Sequence, residues 1–471
     1  MSKATQPKKI FRRSTRGVTT FIVTAAQNAT GLNIPFIRSL EQLANHRSAA
    51  EIFVVPYRYK NPTSRWNTEN EHDEWWSDEA TPYLCNERKR LNANLMLMGD
   101  IPIQATSKNP LNSKHSMSHG ESAIYGHPRV QLRSIATLSD YPRIMTTTGS
   151  CTLRNYTDTD AGKSGFFHHT TGAVIVEVRG KIFHMRQINA TKDGSFVDKH
   201  WLYTPRGRQR APRPLSLTCG DVHCGATDPQ IDAAIFGPGG LVKRFKPKYI
   251  FLHDLLDGAS VNPHTKDNFL ALLQSILSGT GDVRGEVERT AAWLDERIPK
   301  GSVGVVVPSN HNDWLTRWVK ETDPRRSPPN TRFWGETFNK MEDKIKQGVP
   351  AERLEAFNYW LAELLPKDGR FKILARDESF VLKGVENGMH GDAGINGGKG
   401  SLKAMSTLDL KVTFGHTHVE GIEGGAFNTG AMLSKKQPYT KGASSWTNAC
   451  ALQYFNGKRT LIRFINGEYE T

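Results

Sequence analysis

Residues 249–257 read YIFLHDLLD, a short apolar run that ends directly in His253, Asp254 and Asp257. An apolar run of this length, bounded by polar residues, is typical of a buried strand. The C-terminal part of the chain repeats this arrangement and places helical patterns between the runs, which predicts an α/β fold. We predict strands over 215–218, 249–252, 303–307 and 410–414, helices over 268–277 and 285–297, and a final hairpin over 451–455 and 460–464 that turns at Asn456-Gly457.

Polar clusters follow the ends of these strands, and a further cluster contains His390. In open α/β sheets, ligands bind at the edge formed by the carboxyl ends of the strands, so we expect the clusters to meet there. Each cluster by itself also fits a turn or a buried histidine, but their order points to a metal site. Carboxylates, imidazoles and an amide oxygen in this number suffice for two divalent cations. The candidate ligands are Asp221, His223, Asp254, Asn310, His390, His416 and His418.

The order Asp-x-His, Asp-x-x-Asp, Asn-His, His and Gly-His-x-His resembles the calcineurin-like metallophosphoesterases over residues 215–464. The resemblance implies a four-layer α/β/β/α sandwich with two bound metal ions. Mn²⁺ is the first expectation for these ions, with Mg²⁺, Fe²⁺ and Zn²⁺ as alternatives. The family roles imply that Asp221, His223 and His418 hold one ion, that Asn310, His390 and His416 hold the other, and that Asp254 bridges both.

The same resemblance assigns roles to two further residues. His311 matches a histidine that is not a ligand, contacts the phosphate and protonates the leaving oxygen. Asp257 matches an acidic residue that supports the ligands from outside, although an ordinary turn residue is an equal alternative. The implied reaction is attack by a metal-bridged hydroxide. The chain departs from the family at His253 and Ser309, where glycine is usual, and this predicts a slightly altered metal geometry. Because all presumed ligands are present, we expect activity.

The residues before this part carry strand and helix patterns of their own. We predict strands over 21–25, 51–55, 95–98 and 143–147, a helix over 36–44, a hairpin over 173–185 and a long loop over 107–128. Residues 203–214, YTPRGRQRAPRP, interrupt the pattern with three prolines and four arginines, which is typical of a boundary. We therefore predict a basic flexible tail over 1–17, a smaller N-terminal α/β domain of unknown role over 18–205, and the metallophosphoesterase domain over 215–471.

The charge of the chain bears on its partner. Lys and Arg outnumber Asp and Glu by 62 to 47, a net charge of +15, which favours a polyanion such as nucleic acid. A protein that is merely basic is the alternative. The tail adds a cluster of cations that could touch phosphates, or that could only keep the chain in solution. This cluster consists of Lys8, Lys9, Arg12, Arg13 and Arg16.

After Asn310-His311, arginines alternate with aromatic residues. Aromatic stacking on bases and arginine pairing with phosphates are typical of single-strand binding. The alternative is an amphipathic helix whose aromatic side chains lie in the core. We single out Arg317 and Trp314 as substrate-binding residues. The residues of the pattern are Trp314, Arg317, Trp318, Arg325, Arg326, Arg332, Phe333 and Trp334.

We therefore predict a deoxyribonuclease, similar in catalytic core to the nuclease subunits of double-strand-break repair complexes. Its layout looks more like some tailed-phage proteins that attack host DNA. Two other functions stay open: a small-molecule phosphatase or nucleotidase that forms a homo-oligomer through its N-terminal domain, or a catalytically impaired nucleic-acid-binding protein. The sequence has no apolar run of membrane-spanning length, and its five cysteines form no regular framework. This predicts a cytoplasmic protein that does not bind membranes.

Overall fold

The computed structural model describes residues 17–47, 50–59, 75–265, 267–435, 437 and 440–469. The predicted basic tail over 1–17 lies outside these residues except for Gly17. Within the described part, the α/β class is confirmed, and no helix combines the length and the apolar character needed to cross a bilayer. The helices of the described part are Ile34–His46, Asp160–His168, Pro229–Phe236, Leu241–Phe245, Phe269–Ser278, Val283–Arg297, Asn310–Glu321, Thr331–Lys346, Ala356–Leu364 and Leu402–Met405.

The two predicted helices that follow the Asp254 cluster are confirmed, and capping fixes where they begin. The side chain of Asn268 accepts hydrogen bonds from the amides of Leu270 and Ala271. The side chain of Asp282 accepts one from the amide of Gly285. Short polar side chains at this position satisfy amides that have no partner within the helix, so each helix begins one residue later.

A six-stranded sheet contains four parallel strands and the final hairpin. Three of the parallel strands are those predicted over 215–218, 249–252 and 303–307, and the fourth, Phe371–Ile373, was not predicted. Side chains alternate between the faces of a strand. Accordingly, Cys450 and Leu452 pack with the helices, whereas Ala451 packs with residues of the other sheets. Both faces of this sheet are therefore covered. Its strands, in spatial order, are Phe371–Ile373, Val303–Val306, Tyr249–Leu252, Ser216–Thr218, Asn448–Gln453 and Arg459–Phe464.

A ten-stranded sheet joins the two ends of the chain, because Gly421 pairs with Arg133 in an antiparallel register. The predicted boundary near residues 205–215 therefore does not separate the sheets.

The prediction of a loop over 107–128 was wrong at Ser122–Tyr125, which is a fully buried strand. Its four residues are too few to show the alternation of apolar and polar residues that indicates a strand. The strands, in spatial order, are Val381–Leu382, Val385–Glu386, Lys411–Phe414, Ala426–Asn428, Gly421–Glu423, Gln131–Ile135, Arg143–Thr147, Ser122–Tyr125, Leu95–Met98 and Arg88–Asn92.

Two smaller sheets complete the described part. The first contains the predicted hairpin and the two predicted strands near the N-terminus, in the order Glu51–Tyr57, Thr19–Gln27, Gly172–Arg179 and Ile182–Asn189. The second is the meander Phe196–Asp198, Trp201–Thr204 and Gly207–Arg210. Val23, Ile422 and Ala451 belong to one hydrophobic core, so residues of three sheets pack together in it. The order of layers in a four-layer sandwich stays a prediction.

Candidate metal centre

Three of the candidate ligands follow neighbouring parallel strands of the six-stranded sheet. Asp221 comes after Ser216–Thr218, Asp254 after Tyr249–Leu252, and Asn310 after Val303–Val306. The first two loops run side by side, since the amide of His223 donates to the carbonyl oxygen of Asp254 at 2.7 Å. The carboxyl ends of these strands therefore bring the side chains to one edge, as the sequence predicts.

The other candidate ligands come from loops at the ten-stranded sheet. His416 and His418 follow Lys411–Phe414, and the amide of Gly415 donates to the carbonyl oxygen of His390 at 2.9 Å. The amide of Thr447 donates to the carbonyl oxygen of His418 at 3.0 Å. The two large sheets thus present their loops to each other at this edge.

One group of donor atoms surrounds His418. Its Nε2 lies 3.2 Å from Nε2 of His223 and 3.3 Å from Oδ2 of Asp221. Nε2 of His223 lies 3.7 Å from Oδ2 of Asp254. Two donors bound to one ion at about 2.1 Å lie roughly 3.0–3.4 Å apart at ordinary bond angles. The spacing of these atoms therefore fits one shared cation.

A second group surrounds His390. Its Nε2 lies 3.2 Å from Oδ2 of Asp254 and 3.2 Å from Oδ1 of Asn310. The ring of His416 lies beside it, with centroids 5.1 Å apart. Asp254 therefore has one oxygen near both groups, which is the position that a bridging carboxylate would need.

Burial makes these groups depend on a cation. Asp221 is fully buried, and within the described part neither of its carboxylate oxygens has a hydrogen-bond partner. Burial raises the pKa of Asp221 to about 7, although the charge on His390 opposes this, and the neighbouring Asp254 raises it further. A buried carboxylate without partners is costly, and a bound cation removes that cost.

The carboxylate of Asp221 fits because Gly415, which packs against it, has no side chain. A Cβ atom on Gly415 would overlap Oδ1 of Asp221. Four of the candidate ligands also adopt the left-handed backbone region, which is uncommon for residues other than glycine. Such conformations cluster at functional sites. These residues are His223, Asp254, His416 and His418, with φ of 49°, 44°, 74° and 58°.

The two positions that depart from the family have different surroundings. Ser309 caps the helix Asn310–Glu321, since its Oγ accepts from the amide of Asn312 at 3.4 Å. His253 is fully buried with its ring 5.5 Å from that of His390. Burial, together with the charge on His390, lowers the pKa of His253 to about 3, so it stays neutral. Neither residue displaces a candidate ligand.

His311 lies at the edge of the cluster in a fixed orientation. Its Nδ1 donates to the carbonyl oxygen of Asp257 at 2.8 Å, and its ring stacks on Trp314 with centroids 3.8 Å apart. The ring also contacts that of His223 at 4.4 Å. Burial lowers the pKa of His311 to about 4, while the charge on Asp254 opposes this. The carboxylate of Asp257 lies 3.3 Å from Nδ1 of His223, on the opposite side of the ring from the shared donors.

The two predicted substrate-binding residues have structural neighbours of their own. Trp314 is the stacking partner of His311, and Arg317 is half exposed and pairs with Glu321 at 2.8 Å. Trp318 and Phe333 lie in the core, so for these two the amphipathic-helix alternative holds. Base stacking by them is excluded by burial.

Sequence reasoning missed two residues that border the cluster. Arg376 bridges the helix of His311 to the loop of His390, through contacts to Asp313 and, at 3.0 Å, to Asp392. Trp446 contacts the ring of His418, with centroids 4.4 Å apart. Neither residue stands in a motif, and only the three-dimensional pairing of distant loops brings them to the site.

Known proteins similar to this chain include a relative in sequence and solved structures. No family model matches the chain. The crystal structure of Chaetomium thermophilum Vps29 aligns with 10% identity over 37% of this chain and 87% of its own, with a TM-score of 0.22. The same protein complexed with the cyclic peptide RT-D3 aligns with 11% identity over 41% of this chain and 96% of its own, with a TM-score of 0.23.

The relative is Protein A1 of Escherichia phage T5. It is 32% identical over 465 residues, which cover 95% of this chain and 82% of the phage protein. The aligned region therefore takes in nearly the whole chain. The chain belongs to the family of phage T5 Protein A1.

Proposed function

We propose that this protein is a dinuclear-metal-dependent phosphodiesterase that hydrolyses DNA. The observation that carries the proposal is the cluster of buried carboxylates and imidazoles whose donor atoms lie 3.2–3.8 Å apart at the ends of parallel strands. Three overlapping groups of its residues have the spacing of metal ligands. A cluster of this kind has little structural use without cations, because its charges are buried.

Asp254 is the residue that both presumed ions would share. Asp221, His223 and His418 would hold one ion, and Asn310, His390 and His416 the other. Bound there, two divalent cations polarise the phosphoryl oxygens, stabilise the charge of the transition state and make a nucleophile available near neutral pH. Mn²⁺ suits this mixture of oxygen and imidazole donors, and Mg²⁺, Fe²⁺ and Zn²⁺ are alternatives.

His311 would exchange a proton with the substrate through Nε2. The carbonyl oxygen of Asp257 can only accept, so Nδ1 carries the hydrogen and Nε2 is the nitrogen left to exchange a proton. An incoming phosphate adds negative charge beside the ring, which favours its protonated form. The stacked Trp314 holds the ring in place, and Asp257 steadies the ligand His223 through its carboxylate.

DNA is the substrate that the charge of the chain favours. Beyond the helix of His311, the side chains of Arg325 and Arg332 are 88% and 90% exposed. Each is paired with a carboxylate on the surface, and such pairs are worth about 1 kcal/mol or less, so a phosphate can replace the carboxylate at small cost. A small-molecule phosphatase would have no use for this excess of cations.

The experiment is incubation of the purified protein with plasmid and linear DNA in Mn²⁺, in Mg²⁺ and in chelator. We expect cleavage with Mn²⁺ and none with chelator. Hydrolysis of p-nitrophenyl phosphate or of nucleotides without cleavage of DNA would favour the phosphatase alternative. Metal binding without hydrolysis of any phosphoester would favour the binding-protein alternative.

A further inference from the structure

A cavity of about 280 Å³ lies one side chain away from the candidate metal centre. Trp446 lines this cavity, and the same ring contacts the ring of His418. Cavities that hold small organic ligands begin at about 300 Å³, so this one has room for a single nucleoside and little more.

The two ends of the chain each supply one wall. The connection from Gln131–Ile135 to Arg143–Thr147 forms the N-terminal wall. The other wall consists of Lys435, Gln437, Thr440, Gly442, Ser444 and Trp446. Thr137 and Ser444 exchange two backbone hydrogen bonds of 3.0 Å, which hold the walls together. The cavity therefore depends on the pairing of N-terminal and C-terminal strands in the ten-stranded sheet.

The lining is mixed in a way that suits a nucleotide. Besides Ser134, four hydroxyl-bearing residues line it, Trp446 and Leu138 add apolar surface, and Lys435 supplies an ammonium group. Nζ of Lys435 donates to the carbonyl oxygen of Asp140 at 2.8 Å. Burial, together with the charge of Arg463, lowers the pKa of Lys435 to about 8, so the group is still mainly charged at neutral pH. The hydroxyl groups belong to Thr137, Ser139, Thr440 and Ser444.

Each of these features matches one part of a nucleotide. Aromatic rings stack with any base, hydroxyl groups can donate to or accept from base edges and sugar, and an ammonium group can donate to the oxygens of a base or sugar. Leu138 is 80% exposed at the rim, where its side chain can contact the base that the cavity holds.

We propose that this cavity binds one nucleoside of a DNA strand whose adjacent phosphate lies at the candidate metal centre. This inference rests on the proposed function and deepens it. It assigns substrate binding to the N-terminal segment, because half of the cavity wall comes from that segment.

The test compares two small phosphodiesters in Mn²⁺. One, thymidine 5′-(p-nitrophenyl phosphate), carries a nucleoside, and the other, bis(p-nitrophenyl) phosphate, does not. The variants are Lys435→Gln and Leu138→Ala, with Lys403→Gln and Leu410→Ala as controls outside the cavity. We expect the cavity variants to lower kcat/KM for the nucleoside ester about 10-fold, as loss of one apolar contact to the base or one charged hydrogen bond does, and the controls to leave it unchanged.

Hydrolysis of the ester without a nucleoside should stay near the wild-type rate in all four variants. An equal loss for both esters, or no loss for the nucleoside ester, would overturn the subsite and leave the proposed function standing. If the wild-type protein hydrolyses neither ester and does not cleave DNA, the proposed function fails. Binding of labelled oligothymidylate in chelator then decides the subsite alone: about 10-fold weaker binding by Lys435→Gln than by Lys403→Gln supports it, and equal binding overturns it.

Discussion

His311 and Asp257 are joined by a hydrogen bond of 2.8 Å from Nδ1 to the carbonyl oxygen. The bond fixes which ring nitrogen carries the hydrogen, and it leaves Nε2 as the nitrogen that can exchange a proton. Asp257 also reaches His223 with its own carboxylate, at 3.3 Å. One residue therefore orients a presumed proton donor through its backbone and a presumed metal ligand through its side chain.

His311→Ala should lower the rate of DNA cleavage about 10²–10⁴-fold while leaving the Mn²⁺ content near normal, the range expected for a positioned acid or base. The loss should shrink for a nitrophenyl ester, because that leaving group needs no proton. Asp254→Ala, the comparison, should lose metal and activity together. Loss of metal by His311→Ala, or cleavage at the normal rate, would show that the two roles are assigned wrongly.

Gly415→Ala should empty the candidate metal centre, because the added methyl group would overlap the carboxylate of Asp221. We expect Mn²⁺ affinity to fall by at least about 10-fold, as when support of a ligand is lost. Gly335→Ala is the matched control: nothing lies within 4 Å of its Cβ position, and it lies inside the helix Thr331–Lys346. Metal titration by calorimetry checks both. Normal affinity in Gly415→Ala would contradict the packing described for Asp221.

The positions of six candidate ligands could be predicted because each follows a strand that its own local pattern indicates, whereas His390 followed no predicted strand. The pairing of Arg133 with Gly421 could not be predicted, because a local sequence pattern does not show which strands pair when they are far apart in the chain. The contact of Trp446 with His418 could not be predicted for the same reason, because it forms only when that sheet is assembled. For Trp314, the alternation of arginine and aromatic residues was compatible with stacking on a base, and only the structure shows that its ring stacks on His311.

DNA binding should weaken steeply with salt if exposed arginines contact the phosphates. Each neutralised phosphate releases counterions, so several contacts should cost about 10³-fold or more in affinity between roughly 50 and 200 mM salt. Fluorescence anisotropy in chelator measures this without cleavage. Arg332→Gln should lower the slope of log affinity against log salt by about one. A flat dependence would argue for a small substrate.

Acid should destabilise the protein partly through Glu177. Burial alone would raise the pKa of Glu177, but the charges of Arg186, Lys199 and Arg47 outweigh it and lower this pKa to about 2. Because the folded pKa is below the ordinary value of 4.5, the stabilisation is complete above that pH and is lost as the pH falls toward 2. Nζ of Lys199 lies 2.9 Å from the carboxylate.

Glu177→Gln should therefore be less stable at neutral pH, by about 3–5 kcal/mol for a broken buried pair. Its free energy of unfolding should also fall about 2 kcal/mol less than that of the wild type between pH 5 and 3. Urea denaturation at each pH measures both. Glu352→Gln, an exposed carboxylate, should behave as the wild type does. Parallel curves for Glu177→Gln and the wild type would contradict the role of this pair.

The most direct test titrates Mn²⁺ into metal-free protein and follows bound metal and cleavage of linear DNA in the same samples. We predict two ions per chain, with cleavage that appears as they bind and disappears in chelator, and neither tight binding nor cleavage in Asp254→Ala. DNA cleavage that persists in chelator, or saturation of the wild type without hydrolysis of DNA, would contradict the assignment of this cluster as a two-metal centre that cuts DNA.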